Sequence, residues 1–305
     1  MSLLVVGTVA FDAIETPFGK TDKIVGGAAS YIALAASHYT KNMHLVSVIG
    51  DDFPQSFLSD LQMRGVNTEG LQVKKGEKSF FWSGRYHNDL NSRDTLDTQL
   101  NVLADFNPVV PESAKHAEFL MLGNLMPSIQ KRVLDQMKTR PKLVVLDTMN
   151  FWMDTAHDDL ITNLKYIDVL TVNDSEARQL SGEYSLVKAA RSIMQRGPHT
   201  VIIKKGEHGA LLFNAKEVFF APALPLEDVF DPTGAGDSFA GGFIGFLESQ
   251  QRYDFNAMKQ ALIAGSALAS FTVEAFGTQR LSALSSDELE TRIKAFSDLV
   301  HYKTL

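Results

Sequence analysis

An α/β fold built on a mostly parallel central sheet is what this chain predicts, and three observations carry that prediction. Short, continuous apolar runs at 3–9, 45–49, 119–122, 143–146, 169–172 and 201–203 alternate with helical patterns. That rhythm belongs to parallel strands buried on both faces. Several runs end in a polar group: Asn124, then Asp147 with Asn150 close behind, then Asn173. Open α/β sheets gather their ligands at this carboxyl edge. Third, Asp231-Pro232-Thr233-Gly234-Ala235-Gly236-Asp237 opens a helix in which Phe239, Phe243, Phe246 and Leu247 recur at three- and four-residue spacing.

Composition sets the outer bounds. A chain of 305 residues supports one large α/β domain or two small ones, with a sizeable core either way. Its 45% hydrophobic and 21% charged fractions are those of an ordinary soluble protein. A formal net charge of −7 argues against a general nucleic-acid or membrane-surface role, so any phosphate site must be local. The absence of cysteine removes disulfides, thiolate zinc sites and cysteine nucleophiles, and fits a reducing cytoplasm. Residues 1–7 lack a basic flank and their apolar run is cut by Asp12, so they read as a buried strand and not as a signal peptide. No apolar run approaches the roughly 18 residues of a membrane span. Neither an internal repeat nor a low-complexity tract is present.

The Gly-rich turn before the last apolar helices is the chemical centre. Gly234 and Gly236 remove side chains that would block approach to the helix amino terminus, where free N–H groups and the helix dipole favour an anion. An acid at the end of such a turn sets negative charge against a place suited to phosphate. Phosphoryl transfer reconciles the two: the amides hold the developing charge while Asp237 takes the proton of an attacking hydroxyl. The plain alternative is a Gly-rich turn with Asp237 as an ordinary helix cap.

Those seven contiguous residues resemble the carboxy-terminal motif of the PfkB family, the ribokinase-like carbohydrate and nucleoside kinases. The resemblance implies that Asp237 is the base and that Gly234, Ala235 and Gly236 supply the anion hole. It also implies a three-layer α/β/α sandwich, a single domain over 1–305 and a small β lid from about 13–25 and about 71–100.

Taken in order, Asp12 follows the first apolar run, and Gly26-Gly27-Ala28-Ala29-Ser30 leads into a helix through Ala36. A structural reading makes Gly26-Gly27 a tight turn. The resemblance makes Asp12, Gly26 and Gly27 the holders of the acceptor's hydroxyls, and places Tyr31 with them, where the family often has Asn, its ring able to stack on a pyranose face or a base. Gly50-Asp51-Asp52-Phe53 matches another family element, although both acids also suit a solvated turn. A helix at about 55–63 ends at Gly65, a common stop. The aromatic segment 78–86 suits β-structure. Residues 87–107 read as a long polar loop, either solvated or substrate-facing. Arg85 and Arg93 could grip a carboxylate or phosphate, or simply be solvated.

Asn173-Asp174-Ser175-Glu176 matches the family's Asn-x-x-Glu element, associated with Mg²⁺ and phosphate. It equally reads as a helix start with Asn173 as cap and Glu176 at the third position. Gly206 and Gly209 resemble the glycines of the nucleotide loop. Lys204 stands where the family more often has Thr, and reads either as a phosphate ligand or as half of a surface lysine pair. An apolar helix at 257–273 gives way to Phe276-Gly277-Thr278, which matches an element beside the adenine and the monovalent-cation loop. A covering helix is expected from 285 to the end. His87, His157, His199 and His208 show no metal-ligand spacing.

The resemblance thus implies ATP and Mg²⁺, with Glu176 organising the metal through water, and K⁺ near Asp231 and Thr233. It places Asn124 in the acceptor site, admits a homodimer through the lid, and puts the protein in the cytoplasm. No Walker A motif is present. Three functions follow: a kinase of a sugar or sugar derivative, a nucleoside kinase of the same family, or a binding protein that has kept the fold.

Overall fold

The computed structural model describes residues 2–301, so Met1 and the last four residues of the expected covering helix lie outside the described residues. The chain opens with β1 (Leu3–Val6), β2 (Ala10–Thr16), β3 (Gly19–Lys20), β4 (Ile24–Gly26) and α1 (Ala28–Ala36). Then come β5 (Met43–Gly50), α2 (Gln55–Met63), β6 (Val66–Lys74), β7 (Phe81–Tyr86) and β8 (Arg93–Gln99). The middle holds β9 (Phe119–Leu122), α3 (Pro127–Gln136), β10 (Leu143–Asp147), α4 (Asn150–Thr155), α5 (His157–Leu164) and β11 (Val169–Asn173). There follow α6 (Asp174–Ser181), α7 (Leu186–Met194), β12 (Thr200–Lys204), β13 (Ala210–Phe213) and β14 (Val218–Ala221). Four helices close the chain: α8 (Ala235–Gln250), α9 (Phe255–Thr272), α10 (Gln279–Ala283) and α11 (Ser286–Val300).

Among the described residues the central sheet has nine strands in the order β14-β13-β12-β11-β10-β9-β1-β5-β6. It is parallel from β12 to β6, and β13 and β14 add an antiparallel edge. Alternate strand residues feed two separate cores, as the pleat requires. Leu3 and Val5 pack toward α1, α8 and α9, while Leu4 and Val6 pack toward α3, α5, α6 and α7. The result is a three-layer α/β/α sandwich.

A second sheet of five strands, β3-β2-β7-β8 with β4 paired to β2, stands beside the carboxyl edge. It runs over 10–26 and 81–99, against the 13–25 and 71–100 expected for a lid. Residues 71–74 belong instead to β6, paired with β5 in the central sheet. The first strand stops at Val6 because Ser47 takes over the pairing, its Oγ accepting from Val9 N at 3.1 Å and donating to Gly7 O at 2.7 Å. Asp12 therefore sits on β2, within the second sheet. The polar loop expected at 87–107 contains β8, whose seven residues are all exposed. With neither face covered, no apolar alternation marks it, and backbone pairing with β7 alone defines it. The covering helix begins as expected: Ser285 caps it, in a reciprocal box with Glu288.

Candidate active site

Helix α8 places the centre. Gly234 is its N-cap with φ +76°, a conformation that favours glycine. Among the described residues the amides of Gly234, Gly236 and Asp237 have no hydrogen-bond partner, whereas Ala235 N donates to Pro232 O at 3.2 Å. Of the three residues expected to line an anion hole, Ala235 thus has its amide already engaged, and Asp237 adds an amide the sequence reading did not count. The turn is braced by Asp231, which is fully buried: its Oδ1 accepts from Thr233 N at 2.8 Å and its Oδ2 from Gly277 N at 3.0 Å. Gly277 packs against Ile24 of β4, so this brace also joins the second sheet to the turn. Thr233 Oγ1 donates to Tyr86 Oη at 3.2 Å, and Thr16 Oγ1 to Phe230 O at 2.9 Å.

Lys204, at the end of β12, reaches across this helix start. Its Nζ lies 3.1 Å from where a Cβ on Gly236 would stand. It donates to Asp147 Oδ1 at 3.0 Å, and Thr171 Oγ1 donates to the same oxygen at 2.5 Å. Burial alone would pull the Lys204 ammonium down, but Asp147 first and then Glu176 hold it above its ordinary value. The surface-pair reading of Lys204 is thereby excluded. Asp147 was noted in the sequence only as a polar strand end, and that ending is the one signal that could have found it.

Glu176 and Asn173 form the reciprocal cap at the start of α6: Asn173 Oδ1 accepts from Glu176 N and Glu176 Oε2 from Asn173 N. Burial raises Glu176 to about 7, against the pull of Lys204. Asp237 is raised to about 7 by burial and then by Asp147, opposed by Lys204 and Arg93. Burial thus pushes both acids up toward neutrality, the direction that suits proton transfer.

On the other side, Asp12 is 5% exposed and raised to about 7 by burial and then by Asp231, opposed by the Gly27 amide. A Cβ on Gly26 would fall 1.9 Å from Asp12 Oδ2 and 2.4 Å from its Cγ, so any larger residue there would displace that carboxylate. Asn124 stands at the end of β9, accepting from Trp152 Nε1 at 2.8 Å and donating to Met149 Sδ at 3.1 Å.

The arginines part company. Arg93 lies over the Trp82 and Tyr86 rings at 5.7 and 6.0 Å, and its charge acts on Asp12, Glu176 and Asp237. Arg85 is held by Glu15 at 2.9 and 3.3 Å on the exposed sheet surface. Tyr31 is 1% exposed, its ring against Gly234, so it has no free face for stacking on a ligand. Gly206 sits against Asn91 in the β7–β8 turn, and Gly209 against the backbone of Ala221. The sequence places Asn91 only in a polar segment and Tyr86 only in an aromatic one, and nothing in the local pattern ties either to the site. Among the described residues no group of three or more acids or histidines could hold a metal, and no helix is long and apolar enough to cross a membrane.

An open helix amino terminus, a carboxylate raised toward neutrality and a buried lysine meet at the edge of a parallel sheet, an arrangement suited to phosphoryl transfer. The chain belongs to the pfkB family of carbohydrate kinases, whose model matches residues 2–284. Among its relatives is a cytidine kinase of Thermococcus kodakarensis, 29% identical over 248 residues, covering 80% of this chain and 87% of that one. A 2-dehydro-3-deoxygluconokinase of Thermoproteus tenax is 25% identical over 275 residues, 80% of each chain. A structure from E. coli, described as a candidate Ribokinase II in complex with ATP and Mg²⁺, superposes with a TM-score of 0.77. Its sequence is 20% identical, over 96% of this chain and 99% of that one.

Proposed function

We propose that this protein transfers the γ-phosphoryl group of ATP to a hydroxyl of a sugar or sugar derivative. The observation that carries the reading is the convergence of unpartnered amides, Lys204 and Asp237 at one helix start. The acceptor oxygen bonds to the γ-phosphorus as the bridge to ADP breaks, and its proton passes to Asp237. Charge developing on the transferred group meets the amides of Gly234, Gly236 and Asp237 and the Lys204 ammonium.

Asp12, Gly26, Gly27 and Asn124 hold the acceptor, with Arg93 above it. The nucleotide lies along Asn173, Glu176, Gly206 and Gly209. Mg²⁺ supplies charge neutralisation on the phosphates. Glu176, buried at the start of α6 and capped with Asn173, would help hold the metal through water. K⁺ beside the Asp231–Thr233 turn is part of the same reading, and equal rates in Na⁺ and K⁺ buffers would remove it.

A nucleoside acceptor uses the same sugar hydroxyls, and the cytidine kinase relative favours it. The 2-dehydro-3-deoxygluconokinase relative favours the sugar derivative. A binding protein without chemistry has no use for a near-neutral acid beside open amides. The test is ATP consumption with ribose, fructose, 2-dehydro-3-deoxygluconate, cytidine, inosine and adenosine, each with Mg²⁺. Turnover of a sugar or sugar acid supports the proposal. Preference for a nucleoside over every sugar replaces it with the second reading, and no acceptor-dependent turnover overturns both.

A further inference from the structure

We propose that Tyr31 is a positioning residue shared by both halves of the site: its ring carries the Gly234 turn, and its hydroxyl awaits an oxygen of the acceptor. The proposal rests on the phosphotransferase reading above. A Cβ on Gly234 would stand 2.4–2.5 Å from Cζ, Cδ2 and Cε1 of Tyr31, carbons on both sides of the ring, so the glycine sits directly on the ring face. The ring cannot drift, because α1 and α8 are in backbone contact further along the same seam. A Cβ on Gly241 would fall 2.3 Å from Ile32 O, and one on Gly245 2.8 Å from Ala36 Cα. Gly234, Gly241 and Gly245 lie seven and four residues apart, which puts them on one face of α8 against α1. Tyr31 thus ends a rigid two-helix seam at the peptide whose orientation sets the open amides.

The hydroxyl is the second half of the argument. It is buried and has no hydrogen-bond partner among the described residues. Buried hydroxyls usually find a partner; those of Ser30, Tyr39, Thr148 and Ser238 share this lack among the described residues, so the groups around Tyr31 decide its reading. The charged groups that act on it are Asp12, Asp231 and Asp237, with the Tyr86 hydroxyl beyond them. A phenol that feels three carboxylates serves as a donor. An acceptor oxygen is the partner that fits.

The experiment compares Tyr31→Phe, which keeps the ring, with Tyr31→Leu, which leaves a cavity at a fully buried position, and urea denaturation confirms that both fold. Calorimetry of ADP with Mg²⁺, alone and with fluoroaluminate as mimic of the transferring group, reads the ring's role without any acceptor. Phe keeps the flat face, so its gain in ADP affinity on adding fluoroaluminate stays within about twofold of the parent's. Leu misplaces the amides and loses roughly ten- to hundredfold of that gain while binding ADP alone as before. A Leu variant with the full gain, or a Phe variant that loses as much as Leu, overturns the ring's role. The hydroxyl is read with the acceptor that the panel identifies: Tyr31→Phe raises its KM roughly three- to tenfold, with kcat and the KM for ATP unchanged. An unchanged acceptor KM overturns that half. If the parent protein shows no gain from fluoroaluminate, the phosphotransferase reading itself falls, and this one with it.

Discussion

Replacing Lys204 by Met removes one partner of a buried ion pair and separates what the lysine does for stability from what it does for transfer. Its side chain is 17% exposed and that of Asp147 8%, so neither charge is well screened by water. With the ammonium gone, Asp147 Oδ1 keeps only Thr171 Oγ1 at 2.5 Å. Leaving one buried charge uncompensated typically costs about 3–5 kcal/mol. The lower half of that range is expected, because Thr171 remains and part of the pair still meets solvent. Urea denaturation at pH 8 reads this loss directly. Adding Asp147→Asn to Lys204→Met removes the orphaned charge and should restore most of the lost stability. Phosphoryl transfer should not return with it, since the cation at the mouth of the anion hole is still missing. A fall in kcat on the order of 10²–10³ is expected in both variants. A double variant that regains both stability and rate would refute the argument, as would Lys204→Met at full rate.

Three further outcomes follow from the same geometry. The acid limb of kcat/KM should lie near pH 7, far above the ordinary carboxylate range, because Asp237 is raised to about 7 and must be ionised to accept a proton; a rate flat down to pH 5 would contradict it. Asp12→Asn should raise the acceptor KM and leave the KM for ATP unchanged. It should also stabilise the fold at pH 8, because a carboxyl raised to about 7 favours folding at low pH and loses that advantage as pH rises from its unfolded value through 7. Chemical denaturation across pH 5–9 checks the sign, and a destabilised variant at pH 8 would be the contrary result. Arg93→Ala should raise KM for an anionic acceptor several-fold while Arg85→Ala changes little, because Glu15 already holds Arg85 away from the cleft; equal effects from the two would break that distinction.

The parallel sheet was legible because strands buried on both faces leave continuous apolar runs, and 143–146 or 169–172 can be little else. The turn at 231–237 and the Asn173–Glu176 cap were legible for another reason: their geometry is local, set by glycines and side-chain-to-backbone bonds within a few residues. Strand β8 was not, since it is exposed throughout and its partner is distant in kind, a backbone ladder with no side-chain pattern. The same holds for the pairing of Lys204 with Asp147, separated by 57 residues, and of Thr233 with Tyr86, separated by 147. Each side chain was visible, but the fold alone brings the two together. Tyr31 was read as an acceptor contact because it stands where the family often has Asn. Only the α1–α8 seam shows that its ring lies under Gly234 and not in the open cleft.

The central claim is that Asp237 takes the proton of the attacking hydroxyl beside an anion hole that does not depend on it. Asp237→Asn keeps the size of the side chain and the turn that precedes it, while removing the base. Measured with the acceptor that the panel identifies, saturating ATP and Mg²⁺, its kcat should fall on the order of 10²–10⁴, and calorimetry should give ATP affinity within about threefold of the parent protein. Turnover above about half the parent rate, with ATP bound normally, would contradict the role assigned to Asp237 and the account built on it.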